Sequence, residues 1–184
     1  MWQLKNNKIV LVKVSMEYTN FLRDTIDYKV PREHIDNDSQ ARPFIGILIA
    51  NNQHQFVIPI SSPKSKHIRM QNTIDFHKID GGKYGAINFN NMFPIIEDDN
   101  VCKIIDAQIN KDCPKSELQY RNLVRNQLTW LNLRQNKTIV LQKAEKLYNS
   151  YVSGKLDKKV RARCCDFIKL QEQYINYQNP KDKI

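Results

Sequence analysis

The stretch of sequence that decides the fold is residues 42–67, RPFIGILIANNQHQFVIPISSPKSKH. Two runs rich in β-branched and aromatic residues lie on either side of the polar tripeptide Asn51-Asn52-Gln53, a pattern that predicts a β-hairpin. Loops that follow strands often carry the functional residues of a protein. The loop after the second strand is crowded with hydroxyls, amines and an imidazole, from Ser61, Ser62, Lys64, Lys66 and His67. This cluster predicts a phosphate-binding site at the end of the second strand.

The sequence on both sides of this hairpin predicts further strands. Residues 8–14 alternate weakly and are rich in valine and isoleucine, and Ser15 can cap a following helix that contains Tyr18. Three more short strands are expected within residues 73–79, 84–89 and 92–96. Because parallel strands need crossovers of about a dozen residues, the short connections predict a mostly antiparallel sheet.

The pattern becomes helical after Cys113-Pro114. Amphipathic runs predict three helices, over residues 118–135, 138–152 and 158–177. Ser116 is the expected N-cap of the first helix, and Ser153-Gly154 is a typical stop for the second.

Together these elements predict an α+β fold, because a small sheet needs cover from helices. We expect one domain over residues 1–184. Residues 1–97 are expected to be mostly strands with one helix, and residues 114–178 mostly helices.

The charge of the chain is unevenly distributed. The net charge is +10 and the pI is near 9.4. Residues 1–100 carry 12 basic and 11 acidic side chains, whereas residues 101–184 carry 17 basic and 8 acidic ones. This asymmetry favours a polyanionic partner, with nucleic acid first. The alternative is a solvated basic surface that serves solubility alone.

The sequence also indicates the cellular location of the protein. No apolar run approaches the length of a membrane span, and the N-terminus lacks a signal-peptide pattern. The four cysteines have no zinc-like spacing and are expected to be reduced. We therefore expect a soluble cytoplasmic protein with no membrane partner.

No metal ion or cofactor is expected. The acidic run Glu97-Asp98-Asp99 is typical of a solvated turn, because consecutive carboxylates point apart. The four histidines lack metal-ligand spacing, and the chain has neither a P-loop nor a Gly-x-Gly-x-x-Gly motif. His67 and His77 remain candidates for acid–base groups, since histidine titrates near neutrality.

The Ser-Ser-Pro-Lys cluster has structural and functional interpretations. Ser62 can cap a short helix whose first residue is Pro63. Capping does not account for Lys64 and Lys66, because lysine near a helix N-terminus opposes the helix dipole unless an anion is present. The Ser-x-x-Lys spacing also matches penicillin-binding enzymes, but their Ser-Asp-Asn and Lys-Thr-Gly elements are absent.

Five stretches occur in an order that resembles one protein family. They are EYTNFL (17–22), RPFIGI (42–47), IPISSPK (58–64), GAINFNNMFPI (85–95) and the helix over 120–131. Taken together they resemble the ToxN/AbiQ family of bacterial type III toxin–antitoxin endoribonucleases. The Pro-hydrophobic-Ser-Ser-Pro-Lys pattern is the most specific of them. The C-terminal 50 residues match only in being helical and basic.

The resemblance implies a twisted, mostly antiparallel sheet surrounded by helices, akin to the MazF-type toxin fold. It implies metal-independent RNA cleavage that leaves a 2′,3′-cyclic phosphate and a 5′-hydroxyl. It also implies inhibition by a repeat-derived pseudoknot RNA antitoxin, cyclic toxin–RNA assemblies, and a role in phage defence by abortive infection.

The resemblance also implies a set of catalytic residues. Ser61 and Ser62 match the family's serine or threonine pair, Lys64 its active-site lysine, and Tyr18 a tyrosine of the first helix. Arg42 lies where some members have lysine. Since guanidinium does not deprotonate, we expect Arg42 to hold a phosphate rather than act as a base.

Residues expected to bind flanking RNA complete the predicted site. They are Lys66, His67, Lys78, Lys83 and Tyr120. Tyr18 and Tyr120 are aromatic, so each is a candidate either for stacking on unpaired bases or for the core. The alternative function is a non-catalytic RNA- or DNA-binding protein that uses the same basic surface.

Overall fold

A computed structural model of the chain describes residues 8–32, 42–49, 54–96, 98–108 and 113–177. The strands are β1 (Leu11–Val14), β2 (Phe44–Ile49), β3 (His54–Ser61), β4 (Phe76–Lys78), β5 (Ala86–Asn88), β6 (Phe93–Pro94) and β7 (Cys102–Ile104). The α-helices are α1 (Met16–Phe21), α2 (Ser65–Arg69), α3 (Lys115–Asn132), α4 (Arg134–Val152), α5 (Lys158–Arg163) and α6 (Phe167–Gln173). Short 3-10 or π turns cover Leu22–Ile26, Asp80–Gly82, Phe89–Asn91 and Tyr174–Asn176.

The seven strands form one sheet in the order β4-β5-β3-β2-β1-β7, and β6 pairs with β3. Every pairing between these strands is antiparallel. The α+β class and the mostly antiparallel sheet with surrounding helices are therefore confirmed. The further likeness to the MazF-type fold remains a prediction.

The central hairpin has the expected strands and a fixed register. Phe44 pairs with Pro59, and the ladder of β2 and β3 runs to Ile49 opposite His54. The predicted turn at residues 51–53 lies outside the described residues. At the other end the Ile60 N–H donates to the Pro43 carbonyl at 3.0 Å. This bond continues the register past the start of β2.

Strand β3 is buried on both faces. Phe56, Val57, Ile58 and Ile60 are all at most 1% exposed. The Phe56 ring packs against Tyr148 of α4 with 5.6 Å between ring centroids. A strand covered on both faces has a nearly continuous apolar sequence, which explains why residues 56–60 show little alternation.

Two of the expected helix boundaries are wrong. The first residue before α3 is Pro114, and no side chain caps the helix, so Ser116 lies inside the first turn rather than at the N-cap. The run over residues 158–177 is not one helix: α5 ends at Arg163 and α6 begins at Phe167. The side chain of Asp166 accepts a hydrogen bond from the Lys169 N–H. Asp166 therefore starts a new helix, because an N-cap residue has non-helical backbone angles.

Two other boundaries, the start of α1 and the end of α4, follow the sequence. Ser15 accepts a hydrogen bond from the Tyr18 N–H and caps α1, as expected. Helix α4 ends before Ser153, and Gly154 has a φ of +73°, so the predicted stop is confirmed. Strand β7 was not expected; it is three residues long and pairs with β1 at the sheet edge.

Several lysine and arginine side chains bind backbone carbonyls of the protein itself. Lys169 Nζ donates to the Ile26 carbonyl at 3.0 Å, and Lys29 Nζ donates to the Cys164 carbonyl at 2.8 Å. Arg161 donates to a carbonyl of α4 at 2.6 Å. These contacts connect α5 and α6 to neighbouring elements. No helix of the described ranges has the length and the apolar composition that crossing a membrane requires.

A lysine–histidine contact connects β4 to the helices. Lys143 Nζ of α4 lies 3.1 Å from His77 Nδ1 and 2.6 Å from the Thr73 carbonyl. The His77 ring also packs against Trp130 of α3, at 5.8 Å between centroids. Desolvation by burial, with the Lys143 charge second, lowers the pKa of His77 to about 4. His77 is thus neutral near pH 7, and its Nδ1 accepts a hydrogen bond from the Lys143 amine.

This contact predicts a pH-dependent stability. The unfolded chain binds a proton at His77 below about pH 6.5, whereas the folded chain does so only near pH 4. Stability is therefore lost as the pH falls from 6.5 towards 4. We expect His77→Gln to reduce this loss, measured as the free energy of unfolding in urea at a series of pH values. The exposed substitution Lys146→Gln is the control; equal pH slopes for wild type and His77→Gln would contradict the assignment.

Gly85 allows β5 to approach the end of β3. Its φ is +98°, and a Cβ at this position would lie 2.0 Å from the Ser61 carbonyl oxygen. Gly154 also has a positive φ, but a Cβ there would meet no heavy atom of the described residues within 4 Å. The two glycines therefore separate backbone strain from steric contact.

We expect Gly85→Ala to lower the free energy of unfolding by about 3 kcal/mol, because left-handed strain and a clash add. Gly154→Ala should cost about 1 kcal/mol, from strain alone. Thermal or chemical denaturation of both variants measures the difference. Similar losses in the two variants would show that the approach of Gly85 to Ser61 is not tight.

Candidate active site

The site begins at Ser61, the last residue of β3, which is half-buried. Ser61 pairs with Ala86 of β5, and Asn88 is two residues further along the same strand. Residues two apart on a strand share a face, so Asn88 and Ser61 are diagonal neighbours. Asn88 Nδ2 donates to Ser61 Oγ at 2.6 Å. The position of the Ser61 hydroxyl is thus fixed by the neighbouring strand.

The chain leaves the sheet directly after Ser61. Ser62, Pro63 and Lys64 are exposed, and α2 starts only at Ser65, with Lys64 at its N-cap. The prediction that Ser62 caps a helix starting at Pro63 is therefore wrong, because the helix begins two residues later and no side chain caps it. The Ser62 hydroxyl and the Lys64 amine are exposed to solvent instead.

Arg42 lies opposite Ser61 on the neighbouring strand. The register of β2 and β3, continued by the Ile60 to Pro43 hydrogen bond, sets residue 42 across from residue 61. Directly opposed residues of antiparallel strands point to the same face. The register thus sets the backbones of Arg42 and Ser61 across from each other, although 18 residues separate them in the sequence.

Lys78 extends the same row across the sheet. Lys78 pairs with Ala86, which pairs with Ser61, so the Lys78 and Ser61 backbones are about 10 Å apart. Lys78 Nζ donates to the Ile68 carbonyl of α2 at 3.3 Å. Helix α2 therefore folds back over the end of β4. Three predicted residues, Ser61, Arg42 and Lys78, belong to one row at this edge of the fold.

Lys66 and Lys83 lie around this row and are exposed. Lys66 is in α2, immediately after the Ser62–Lys64 loop. Lys83 follows the Asp80–Gly82 turn, against which α2 packs, and its Nζ lies 5.0 Å from the centroid of the Tyr84 ring. Lys66 in α2 and Lys83 after the turn that α2 contacts therefore add positive charge near this helix.

His67 does not have the position that phosphate binding requires. It is only 3% exposed, and its ring packs against Phe76 at 5.9 Å between centroids. Desolvation lowers its pKa, and the charges of Lys66 and Lys64 lower it further. Among the described residues, no partner binds its Nδ1. Because its ring is buried against Phe76, His67 does not lie on the surface that would contact a flanking phosphate, and the prediction for His67 is wrong.

Tyr18 lies in the core rather than in the Ser61 loop. It is 0% exposed, and its hydroxyl donates to the Pro94 carbonyl at 2.9 Å. Pro94 pairs with Phe56, which precedes Ser61 by five residues, or about 17 Å of strand. Burial raises the pKa of Tyr18 well above its usual value. These observations contradict the prediction that Tyr18 protonates or orients a reacting group beside Ser61.

Tyr120 is half-buried on α3 and packs against the hydrophobic core. Gln127, two turns later on the same face of α3, donates to the Tyr84 carbonyl at 2.8 Å. Helix α3 is thus attached to the turn that precedes β5. Tyr120 is about 10 Å from that attachment along the helix. Its role in RNA binding remains a prediction.

Two residues of the site were missed by the sequence reasoning. Asn88 and Gly85 lie in the GAINFNNMFPI stretch, which contributes to the family resemblance. Asn88 reaches Ser61 across 27 positions of sequence. A glycine that directly precedes a short strand is a sequence signal for close backbone approach, and it identifies Gly85.

The arrangement suits an anion chemically. Two serine hydroxyls, the Lys64 amine and the Arg42 guanidinium are carried by adjoining segments, and Lys66, Lys78 and Lys83 surround them. Charge-assisted hydrogen bonds from such donors are stronger than neutral ones and fit phosphate oxygens.

Comparison with known proteins identifies relatives over most of the chain. The family of the toxin ToxN of type III toxin–antitoxin systems matches residues 10–175. An endoribonuclease ToxN of Bacillus thuringiensis subsp. kurstaki is 34% identical over 170 residues, covering 90% of this chain and 82% of the relative. An endoribonuclease ToxN of Pectobacterium atrosepticum is 25% identical over 170 residues, covering 89% of this chain and 91% of the relative.

Solved structures have the same fold. A type III toxin, reported with selective toxin inhibition by a non-coding RNA pseudoknot, superposes with a TM-score of 0.72 and 30% identity, covering 92% of this chain and 98% of its own. AbiQ, a lactococcal anti-phage endoribonuclease of the type III toxin–antitoxin system, has a TM-score of 0.72 and 18% identity, with the same coverage. At that identity AbiQ supports the fold alone. The match over residues 10–175 and the 34% identity to a curated relative together show that this chain belongs to the ToxN family of toxins of type III toxin–antitoxin systems.

Proposed function

We propose that this chain is an endoribonuclease toxin that cleaves RNA by metal-independent transesterification at the Ser61–Lys64 loop. The proposal is supported by two features: Ser61, Ser62 and Lys64 follow one another where β3 ends, and the β2–β3 register sets the Arg42 backbone across from Ser61. Endoribonuclease is also the activity in the names of both curated relatives.

The reaction needs no atom from a cofactor. The ribose 2′-oxygen loses its proton and attacks the adjacent phosphorus, and the bond from phosphorus to the 5′-oxygen breaks. The leaving 5′-oxygen takes up a proton. The products are a 2′,3′-cyclic phosphate and a 5′-hydroxyl, so atoms and charges balance.

Lys64 and Arg42 would stabilise the charge that develops on the phosphorane. Electrostatic stabilisation of this kind is usually the largest contribution to catalysis in such sites. Arg42 presents several donors in a fixed plane, which suits two phosphate oxygens at once. It holds the phosphate and does not serve as the base.

Ser61 and Ser62 would donate hydrogen bonds to phosphate oxygens and hold the attacking and leaving oxygens in line. Positioning of this kind removes much of the entropic barrier of a reaction. Lys66, Lys78 and Lys83 would bind the phosphates on either side of the scissile bond, and Tyr120 would contact RNA beyond them. We leave Tyr18 and His67 out of this set because both are buried.

The partner of the toxin is proposed to be RNA as well. A structural relative at 30% identity is inhibited by a non-coding RNA pseudoknot, and AbiQ is described as an anti-phage endoribonuclease. We propose an RNA antitoxin of pseudoknot form, a cyclic toxin–RNA assembly, and a role in phage defence by abortive infection. The excess of basic residues after residue 100 agrees with a polyanionic partner.

The direct test is to incubate the purified protein with a mixed-sequence RNA in EDTA and to analyse the ends of the fragments. Discrete fragments with 2′,3′-cyclic phosphates are expected. Bound but intact RNA would support the alternative, a non-catalytic nucleic-acid-binding protein, and cleavage only with added divalent cations would overturn metal independence.

Lys64→Ala is expected to reduce the cleavage rate by about 100-fold or more, because it removes a charged donor from the phosphorane. Binding of the antitoxin RNA should weaken only modestly, since one phosphate contact among many is lost. The matched control is Lys146→Ala, which removes an exposed lysine of α4. Undiminished cleavage by Lys64→Ala would overturn the proposed site.

Tyr18→Phe separates a core role from a chemical one. The substitution leaves the buried Pro94 carbonyl without its donor, which should lower the free energy of unfolding by about 1–3 kcal/mol. The cleavage rate of the folded variant should equal that of wild type. A loss of cleavage without a loss of stability would return Tyr18 to the catalytic set.

A further inference from the structure

The hydroxyl of Ser61 is supported by one specific donor. Asn88 Nδ2 lies 2.6 Å from Ser61 Oγ, and both residues are half-buried. An amide NH₂ group donates and does not accept, so the Ser61 oxygen is the acceptor of this hydrogen bond. The direction of the bond is thereby fixed.

The direction of this hydrogen bond determines which groups the Ser61 hydroxyl can donate its proton to. A serine hydroxyl has a single proton to donate, and it is not used in the bond to Asn88. Within the described ranges, no other group accepts it. Accepting one hydrogen bond also polarises the hydroxyl and strengthens the bond that it donates. Ser61 is consequently prepared to donate to an anion at the open end of β3.

The donor itself belongs to a rigid part of the fold. Asn88 is in β5, between β3 and β4, and pairs with Phe76. The next residue, Phe89, donates its N–H to the Asp75 carbonyl at 3.0 Å. At the other end of β5, Gly85 lies against the Ser61 backbone. A group fixed on paired strands holds a partner more tightly than one on a loop.

We propose that Asn88 is a positioning residue for RNA cleavage: its amide donates to Ser61 Oγ and so commits the Ser61 proton to a phosphate oxygen of the substrate. This inference rests on the proposed function, in which Ser61 binds the scissile phosphate. Asn88 acts through Ser61 and does not itself touch RNA.

The decisive comparison is between Asn88→Ala and Asn88→Asp. Alanine removes the donor and frees the hydroxyl to rotate, which should lower kcat by about 10-fold with little change in KM. Aspartate has nearly the same shape but only accepts, so the serine proton turns towards the carboxylate and away from the phosphate. We expect kcat to fall by about 100-fold, below that of the alanine variant.

A purely structural role predicts the opposite order. Aspartate keeps a hydrogen bond between β5 and β3, whereas alanine loses it, so aspartate would then be the milder change. The control is Asn91→Ala, which removes an amide of similar burial that donates to the Lys29 carbonyl at 2.9 Å. That variant should cleave at the wild-type rate.

An alanine cycle tests the coupling without the aspartate variant. In a Ser61→Ala background, Asn88→Ala should produce no further fall in kcat, because its effect passes through the Ser61 hydroxyl. Initial rates are measured with a mixed-sequence RNA transcript in EDTA, and circular dichroism verifies folding of each variant. Independent, multiplying losses in the cycle would overturn the inference even if the aspartate protein does not fold.

The same variants distinguish an error in the proposed active site from an error in the role of Asn88. If Ser61→Ala and Lys64→Ala both cleave normally, the proposed active site is wrong. If both lose cleavage while Asn88→Asp cleaves as well as Asn88→Ala or better, only the positioning role of Asn88 is wrong.

Discussion

The double burial of β3 is the constraint on which the rest of the structure depends. This strand pairs with β2, β5 and β6, and its residues Phe56–Ile60 are covered on both faces. Such a strand cannot continue beyond Ser61 into Ser62-Pro63, because unpaired hydroxyls are costly to bury and proline cannot donate to a sheet ladder. The chain must therefore emerge at Ser61. The location of the proposed site follows from where the core ends.

The three residues of β5 and the glycine before them support that end in two ways. Because it has no side chain, Gly85 can lie against the Ser61 backbone of β3 at a distance that a Cβ atom would not allow. Asn88, at the other end of β5, then donates across to the Ser61 hydroxyl of β3. The close approach of two strands and the position of the Ser61 hydroxyl thus come from one short segment. A substitution in this segment affects packing and chemistry together, which is why variants there require a stability measurement beside each rate.

Local patterns in the sequence predicted the hairpin, the cap at Ser15 and the loop at Ser61, since each depends on residues close together in the chain. Tyr18 and His67 were assigned wrongly because their burial depends on distant partners, the Pro94 carbonyl and the Phe76 ring. The break before α6 comes from an aspartate cap within an otherwise helical pattern. Asn88 was missed because its role is visible only once β5 lies beside β3.

Because some cations bind backbone carbonyls of the protein itself, the net charge overstates how many cations can contact a polyanion. The Nζ atoms of Lys29 and Lys169 and the guanidinium of Arg161 are engaged within the protein. When a polyanion binds, counterions leave its phosphates in proportion to the protein cations that reach them. Internally engaged cations contribute little to that exchange. The ionic-strength dependence of RNA affinity should therefore reflect a smaller set of lysines and arginines than the 29 in the sequence.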